Sequence, residues 1–579
     1  MGKDKIQARR GSTPRRATKK KIKKSPPPPL PGEGRRSRKK RPVPRHNVMG
    51  TYINIGNAGF QRARNSEYVD KTGLISVLNK TLFTERCFSC VSRCRRFGKS
   101  MAAKMLYAYY DHSCDSRSLF ADLQIAGDPT FEQHLNKYAA IYLDVTNFVS
   151  DNKTDDIVDK IDAALLEDVS KEYPDIAVGK QDRLMDYLLR VSIEKQEQFV
   201  FIIDEWDAIC REFKTGTKAM DSYVGWLRRM FKSQDAMRVF AGVYMTGILP
   251  IKKYDTQSAL NNFTEYSMVK AGPLSQFFGF TKDEVRALSA KHNMDFDELE
   301  KWYDGYKIGL QTSMFNPNSV MLAIYNGYCE SYWASTGAFE AVANYIQMNY
   351  EGLKDDIILM LAGGRSKVNP TSFINDMAEV DSKDDVLTVL IHLGYLSYDR
   401  DTKECFIPNL EVAGEMENAV KANNWKPVVD ALKASEQLLQ ATLDGDEEAV
   451  AQGVDASHDE NTSILSYNNE NSLACVLSIA YYYARNNYVM HRELPTGKGF
   501  ADIVLIPRKN VESPAIVLEL KYDKDANSAI SQIHRKQYPD KVAQYSGELL
   551  LVGINYDKTQ KTHNCTIEKV TLSTRHNEK

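Results

Sequence analysis

Four short apolar runs punctuate the first half of the chain: Cys87 to Val91, Ala140 to Val145, Phe199 to Ile203 and Arg238 to Met245, with stretches of helical spacing between them. Runs that are apolar at successive positions, rather than at alternate ones, suit strands buried on both faces. Strands separated by helix-length segments cannot pair as hairpins and must be joined by crossovers. The pattern predicts a parallel sheet with helices packed on both sides.

The residues at the ends of these strands narrow the chemistry. The first strand runs into Arg93-Cys94-Arg95-Arg96-Phe97-Gly98-Lys99-Ser100, and a helix is predicted over Met101 to Tyr110. Backbone N–H groups in such a strand-loop-helix turn can cradle phosphates at the helix N-terminus. Lys99 would then reach the β- and γ-phosphates of ATP, and Ser100 would ligate Mg²⁺. The third strand ends in Asp204-Glu205, where Asp204 suits Mg²⁺ and Glu205 suits activation of a water against the γ-phosphate. Thr246, at the tip of the fourth strand, reads as a γ-phosphate sensor or as a hydroxyl that caps the next turn. Arg93 stands where a full phosphate loop has its first glycine, so a degenerate loop without nucleotide is the alternative. Arg95 and Arg96 suit either a transferring phosphate or an acidic partner across the sheet.

A second constellation lies near the C-terminus. Asp502 sits in the apolar run Gly499 to Leu505, and Glu519 and Lys521 in the run Ala515 to Lys521. Period-2 geometry puts Glu519 and Lys521 on one face of their strand, and a hairpin-like neighbour brings Asp502 beside them. Two carboxylates and an ammonium can hold Mg²⁺, or Mn²⁺, and set a water against a phosphodiester. The competing reading is an internal ion pair of Lys521 with Glu519 or Asp502 on a scaffold without chemistry. The surrounding order is helix 470–485, strands 488–494, 500–507 and 515–522, helix 529–538 and strand 549–554.

Between these regions, residues 280–378 read as mostly helical. A helix over 384–393 and two short strands around a charged turn then form a winged-helix-like element, which suits internal packing more than DNA binding. The expected domains are a disordered basic, Pro-rich tail over 1–48, a P-loop NTPase-type domain over 49–279, and a helical region with the winged element over 280–422. A helical connector over 423–460 and an α/β restriction-endonuclease-like domain over 461–579 complete the chain. The formal net charge of +0 hides a polarity: residues 1–47 carry about +16 and the rest about −16. The tail can touch nucleic acid or be dispensable, with translation starting at Met49 instead. No apolar run approaches the ~20 residues of a membrane span, and no signal core is present. Nine scattered cysteines suit a reducing cytoplasm, and Cys87, Cys90 and Cys94 read as buried thiols rather than a zinc site.

The chain resembles a family of bacterial AAA-ATPase-like proteins with a C-terminal PD-(D/E)XK nuclease domain. The resemblance rests on Tyr68 to Thr72, Arg95 to Ser100, Asp204 to Asp207, Thr246-Gly247, Asn261-Asn262, Phe278 to Thr281, Trp302 to Tyr306, Asn316-Pro317 and Ile407 to Asn409. It implies nucleotide binding by Gly98, Lys99, Ser100, Asp204 and Glu205. It also implies metal ligation by Asp502 and Glu519, with Lys521 orienting water or stabilising the phosphorane charge. Glu470 matches the further acid many members supply, with Glu493 as its competitor, and Gln532 and Tyr538 match a supporting helix. Cys94 replaces the family's usual proline, which loosens the loop without removing its phosphate-binding groups. The implied function is an ATP-hydrolysing protein with a metal-dependent nuclease acting on nucleic acid, DNA favoured. The alternative is a regulatory ATPase whose nuclease-like domain binds without cutting. Oligomerisation is left open.

Overall fold

The computed structural model describes residues 50–149, 155–213, 217–251, 253–254, 257–258, 260–333, 350, 352–361, 363–371, 373, 380–422, 426–461, 477, 480–496, 499–508, 511, 513–535 and 548–571. The basic tail, Glu470 and Tyr538 lie outside the described residues, as does the side chain of Glu493. Val48–Lys579 forms one compact unit.

The four apolar runs become β1 (Phe88–Ser92), β2 (Ala139–Asp144), β3 (Phe199–Asp204) and β4 (Phe240–Gly247), joined by β5 (Thr264–Tyr266). The sheet order is β2-β3-β4-β1-β5, and every pairing is parallel. Because successive side chains alternate faces, each strand feeds two cores. Phe88, Cys90, Ile141, Phe201 and Met245 pack on one side with helices Ile157–Glu172, Leu184–Lys195 and Lys218–Phe231. Val91, Ala140, Val200, Ile202 and Tyr244 pack on the other with α1 (Lys99–Tyr110). The carboxyl ends of β1, β3 and β4 meet side by side, with Val91 level with Thr246 and Ile203 level with Met245.

Among the described residues the middle region is mostly helical, as expected, but it also carries short strands. Tyr306–Ile308 and Gln311–Phe315 form a hairpin that pairs with Phe280–Thr281, turning at Gly309 with φ +63°. Strands of two to five residues are too short to show a period of two. Helix Lys383–Leu393 and the hairpin Ser397–Asp399/Glu404–Phe406 match the expected winged element, with Ser366–Lys367 added at the hairpin's edge. Helix α2 (Leu410–Ala422) follows. The core of this region also takes in Cys94 and Phe97 from the loop after β1. The Phe97 ring meets Tyr306 edge-on at 5.0 Å, and the Tyr306 hydroxyl donates to the carbonyl of Gly394.

The C-terminal sheet runs in chain order: β6 (Tyr488–Thr496), β7 (Gly499–Pro507), β8 (Ala515–Tyr522), β9 (Glu548–Asp557) and β10 (Thr562–Thr571). Only β8 and β9 are parallel, with α3 (Ala526–Arg535) as their crossover. One face buries Ile503, Leu505, Leu518 and Leu520 against Leu438 and Val450 of helices Lys426–Asp444 and Glu447–Asn461. These two helices, read from sequence as a connector, share a core with the C-terminal sheet. The other face buries Val504, Val517 and Leu551 against Ile530 and Ile533 of α3.

Candidate functional site

The loop after β1 ends at Gly98, whose φ of +86° is a conformation side chains disfavour, with open space where a Cβ would point. Lys99 is almost fully buried; its Nζ donates to the Cys94 carbonyl at 3.1 Å and lies 3.8 Å from Glu205 Oε1. The ammonium therefore lies beneath the loop, between its backbone and the end of β3. Asp204 is buried there too. It accepts from the Tyr142 hydroxyl at 3.0 Å, from the Glu205 amide at 3.1 Å and from the Ser100 hydroxyl. Burial pushes the Asp204 carboxyl up to about 6, against the opposite pull of the Ser100 hydrogen bond. Ser100 and Asp204 thus put two hard-oxygen donors together at the helix N-terminus, a set that suits Mg²⁺ bound beside phosphates.

Glu205 leaves β3 with φ +51° and is gripped by Arg211, whose Nη2 lies 2.6 Å from Glu205 Oε2. Arg211 also contacts Asp207 at 3.2 Å, and Asp207 accepts from the amides of Ile248 and Leu249 beyond β4. The Thr246 hydroxyl, fully buried, donates to the Val91 carbonyl of β1 at 3.1 Å. Arg93 is likewise buried, donating to the carbonyls of Ser92 and Tyr266, with its guanidinium 5.3 Å from the Phe278 ring. Arg96, at φ +68°, turns away from the strand ends and donates to the Tyr332 carbonyl at 2.6 Å. Tyr142 and Arg211 were not legible as site residues. The i, i+4 spacing of Asp207 and Arg211 was the one available signal, since it puts an acid and a base on one helix face.

In the C-terminal sheet, Ile503 is level with Leu518, so the antiparallel register continued by one residue sets Asp502 opposite Glu519. Asp502 Oδ2 accepts from the Leu520 amide at 2.8 Å. Alternation puts Asp502, Glu519 and Lys521 on the face that carries Val504 and Val517, the face covered by α3. Glu519 is 1% exposed and Lys521 6%. Lys521 Nζ donates to Glu519 Oε1 at 3.2 Å and to the Leu520 carbonyl at 2.9 Å, and Gln532 from α3 also donates to Glu519. The three charged side chains expected on one face are on one face, and the Lys521–Glu519 ion pair weighed as an alternative is present as well. Among the described residues, no group of three or more His, Cys, Asp or Glu side chains forms a metal-binding cluster. Two carboxylates still suit Mg²⁺, which keeps several waters and takes its other oxygens from substrate.

Residues 54–257 match the family model described as "Predicted AAA-ATPase", and residues 468–565 match that of the PD-(D/E)XK nuclease superfamily. No curated protein matches the chain. Among solved structures, the Aeropyrum pernix ORC2 protein in its ADPNP-ADP complexes aligns with 9% identity and a TM-score of 0.28, over 62% of this chain and 98% of that one. The Aeropyrum pernix ORC1 protein in complex with DNA aligns with 12% identity and a TM-score of 0.21, over 65% of this chain and 98% of that one. Likeness at that level decides nothing about this protein. The two family matches do: the chain joins an AAA-ATPase-like domain to a C-terminal domain of the PD-(D/E)XK nuclease superfamily.

Proposed function

We propose that this protein binds and hydrolyses ATP at the carboxyl ends of β1 and β3 and cuts phosphodiester bonds in nucleic acid, DNA first, at the Asp502–Glu519–Lys521 face of its C-terminal sheet. The observation that carries the proposal is the convergence of those three side chains with Gln532 on one sheet face, inside a domain that matches a nuclease superfamily. Buried carboxylates are costly unless paired or bound to metal, and this pair has the donor chemistry for a hard divalent cation. Asp502 and Glu519 would hold that cation, which supplies Lewis acidity toward the phosphate and a more acidic bound water. Lys521 then donates to the developing charge on the phosphorus oxygens, and Gln532 holds Glu519 in register. At the other site, Ser100 and Asp204 would hold the nucleotide's Mg²⁺, Lys99 would turn from the Cys94 carbonyl to the phosphates, and Glu205, once released by Arg211, would take the proton of the attacking water.

The Lys521–Glu519 pair supports a second reading, in which the C-terminal domain binds nucleic acid without cutting it. One assay separates the two. The full chain is incubated with plasmid and single-stranded DNA, with Mg²⁺ or Mn²⁺, with and without ATP. Metal-dependent cleavage that disappears in Asp502→Ala and Glu519→Ala supports the nuclease. Cleavage retained in the double variant removes these residues from the mechanism, and a gel shift without cleavage favours the second reading.

A further inference from the structure

A cavity of about 260 Å³ opens between the middle region and the first strand of the C-terminal sheet. Its floor is apolar, with Met360, Pro408 and Met490 among its residues, and every charged residue that lines it is basic: Lys301, Arg485 and Arg508. The two guanidinium groups are fixed from behind. Arg485 Nη1 donates to the Leu361 carbonyl at 3.0 Å and lies over the Tyr482 ring, and Arg508 donates twice to the Arg485 carbonyl, at 3.2 and 2.8 Å. Gly363, at φ +84°, clears room for Arg485, since a Cβ there would come within 1.9 Å of Arg485 Nη2. Burial holds both guanidinium groups below the usual arginine range, so an anion reaching them from the cavity would offset a desolvation cost already present. The Glu298 carboxylate acts on Arg508 without lining the cavity.

We infer that this cavity is a binding site for a nucleoside monophosphate unit, taken as a free nucleotide or as one residue of a strand, with the base on the apolar floor and the phosphate on Lys301 and the paired arginines. A preorganised guanidinium fork recognises phosphate, and a thioether-lined surface accepts any base face. The inference stands apart from the nuclease and ATPase proposals, because it uses none of their residues. The cavity also borders α2 through Leu410 and Ala413, so an occupant would touch that helix.

The test is amide hydrogen exchange of the full chain with AMP and, separately, with the tetranucleotide (dT)4. AMP lacks the β- and γ-phosphates that Lys99 is proposed to meet. Slowed exchange at Val489–Met490 and at 410–413 is expected with one probe or both. AMP alone would point to a free nucleotide, and (dT)4 alone to a strand. Lys301 is exposed, so Lys301→Glu should fold normally and weaken the protecting ligand about tenfold or more, while Lys301→Arg retains it. Gly363→Ala, which displaces Arg485, should weaken it as well. No protection by either probe, or protection indifferent to Lys301→Glu, would overturn the inference.

Discussion

Glu411 offers a sharp test of how the middle region is held. It is fully buried near the start of α2, with Oε1 accepting from the Tyr332 amide at 2.8 Å and Oε2 meeting the Ser319 hydroxyl at 2.9 Å. Burial pushes its carboxyl from 4.5 up to about 7, and the nearby Glu415 adds to the rise. A raised folded-state value means the native protein keeps this proton over a range where the unfolded chain has lost it. The stabilisation is complete below about pH 4.5 and is lost as pH rises toward 7, for a total of about 3 kcal/mol. Glu411→Gln copies the protonated form: its oxygen accepts from Tyr332, and its NH₂ donates to Ser319, whose hydroxyl rotates to accept. The variant should match wild type near pH 4, lead it by about 1 kcal/mol at pH 5, and exceed it by up to about 3 kcal/mol at pH 8. Asp204 titrates in the same direction, so the quantity to read is the difference between variant and wild type in urea unfolding across pH 5 to 8. A flat difference, or a variant weaker at pH 8, would show that Glu411 is ionised in the native state and would refute the reasoning.

Other outcomes follow from the geometry. Lys99→Ala should lower ATP affinity on the order of 100-fold in a direct binding titration, because it removes a charge-assisted donor that nothing nearby replaces. Since metal ligation needs an ionised carboxylate and Asp204 sits at about 6, Mg²⁺-dependent ATP binding should fall as pH drops through 6, and Asp204→Asn should abolish that profile. Arg211→Ala frees Glu205, so it should raise the ATP hydrolysis rate while leaving nucleotide affinity within about twofold. Gly305→Ala should cost on the order of 3 kcal/mol in thermal unfolding, because φ is +99° and a Cβ would lie 1.9 Å from the Pro408 carbonyl oxygen.

The parts of this molecule that sequence reveals are the ones encoded locally. Strand ends carry their chemistry within a few residues, so Gly98-Lys99-Ser100, Asp204-Glu205 and the Glu519/Lys521 alternation were all readable before any fold was known. What escaped was either short or distant. Thr264–Tyr266 has three residues and no period to show. Thr562–Thr571 lies at the sheet edge with one face half-solvated, so its polar residues mask the alternation. The joining of Arg96 to Tyr332 spans 236 residues and that of Tyr332 to Glu411 spans 79, and neither leaves a mark on either segment. Burial of helices Lys426–Asp444 and Glu447–Asn461 against the last sheet was hidden for a different reason: polar outer faces made them look like a spacer.

Cys94 and Phe97 have a practical corollary. Their side chains are inserted among Tyr306, Leu390 and Leu396, outside the sheet from which they emerge. A fragment cut after residue 257 would release that turn into water with an aromatic ring and a thiol stripped of their neighbours. Anyone trimming this protein to its AAA-ATPase-like domain would have to carry the helix-and-hairpin module along, because the module is the mould in which the turn is cast.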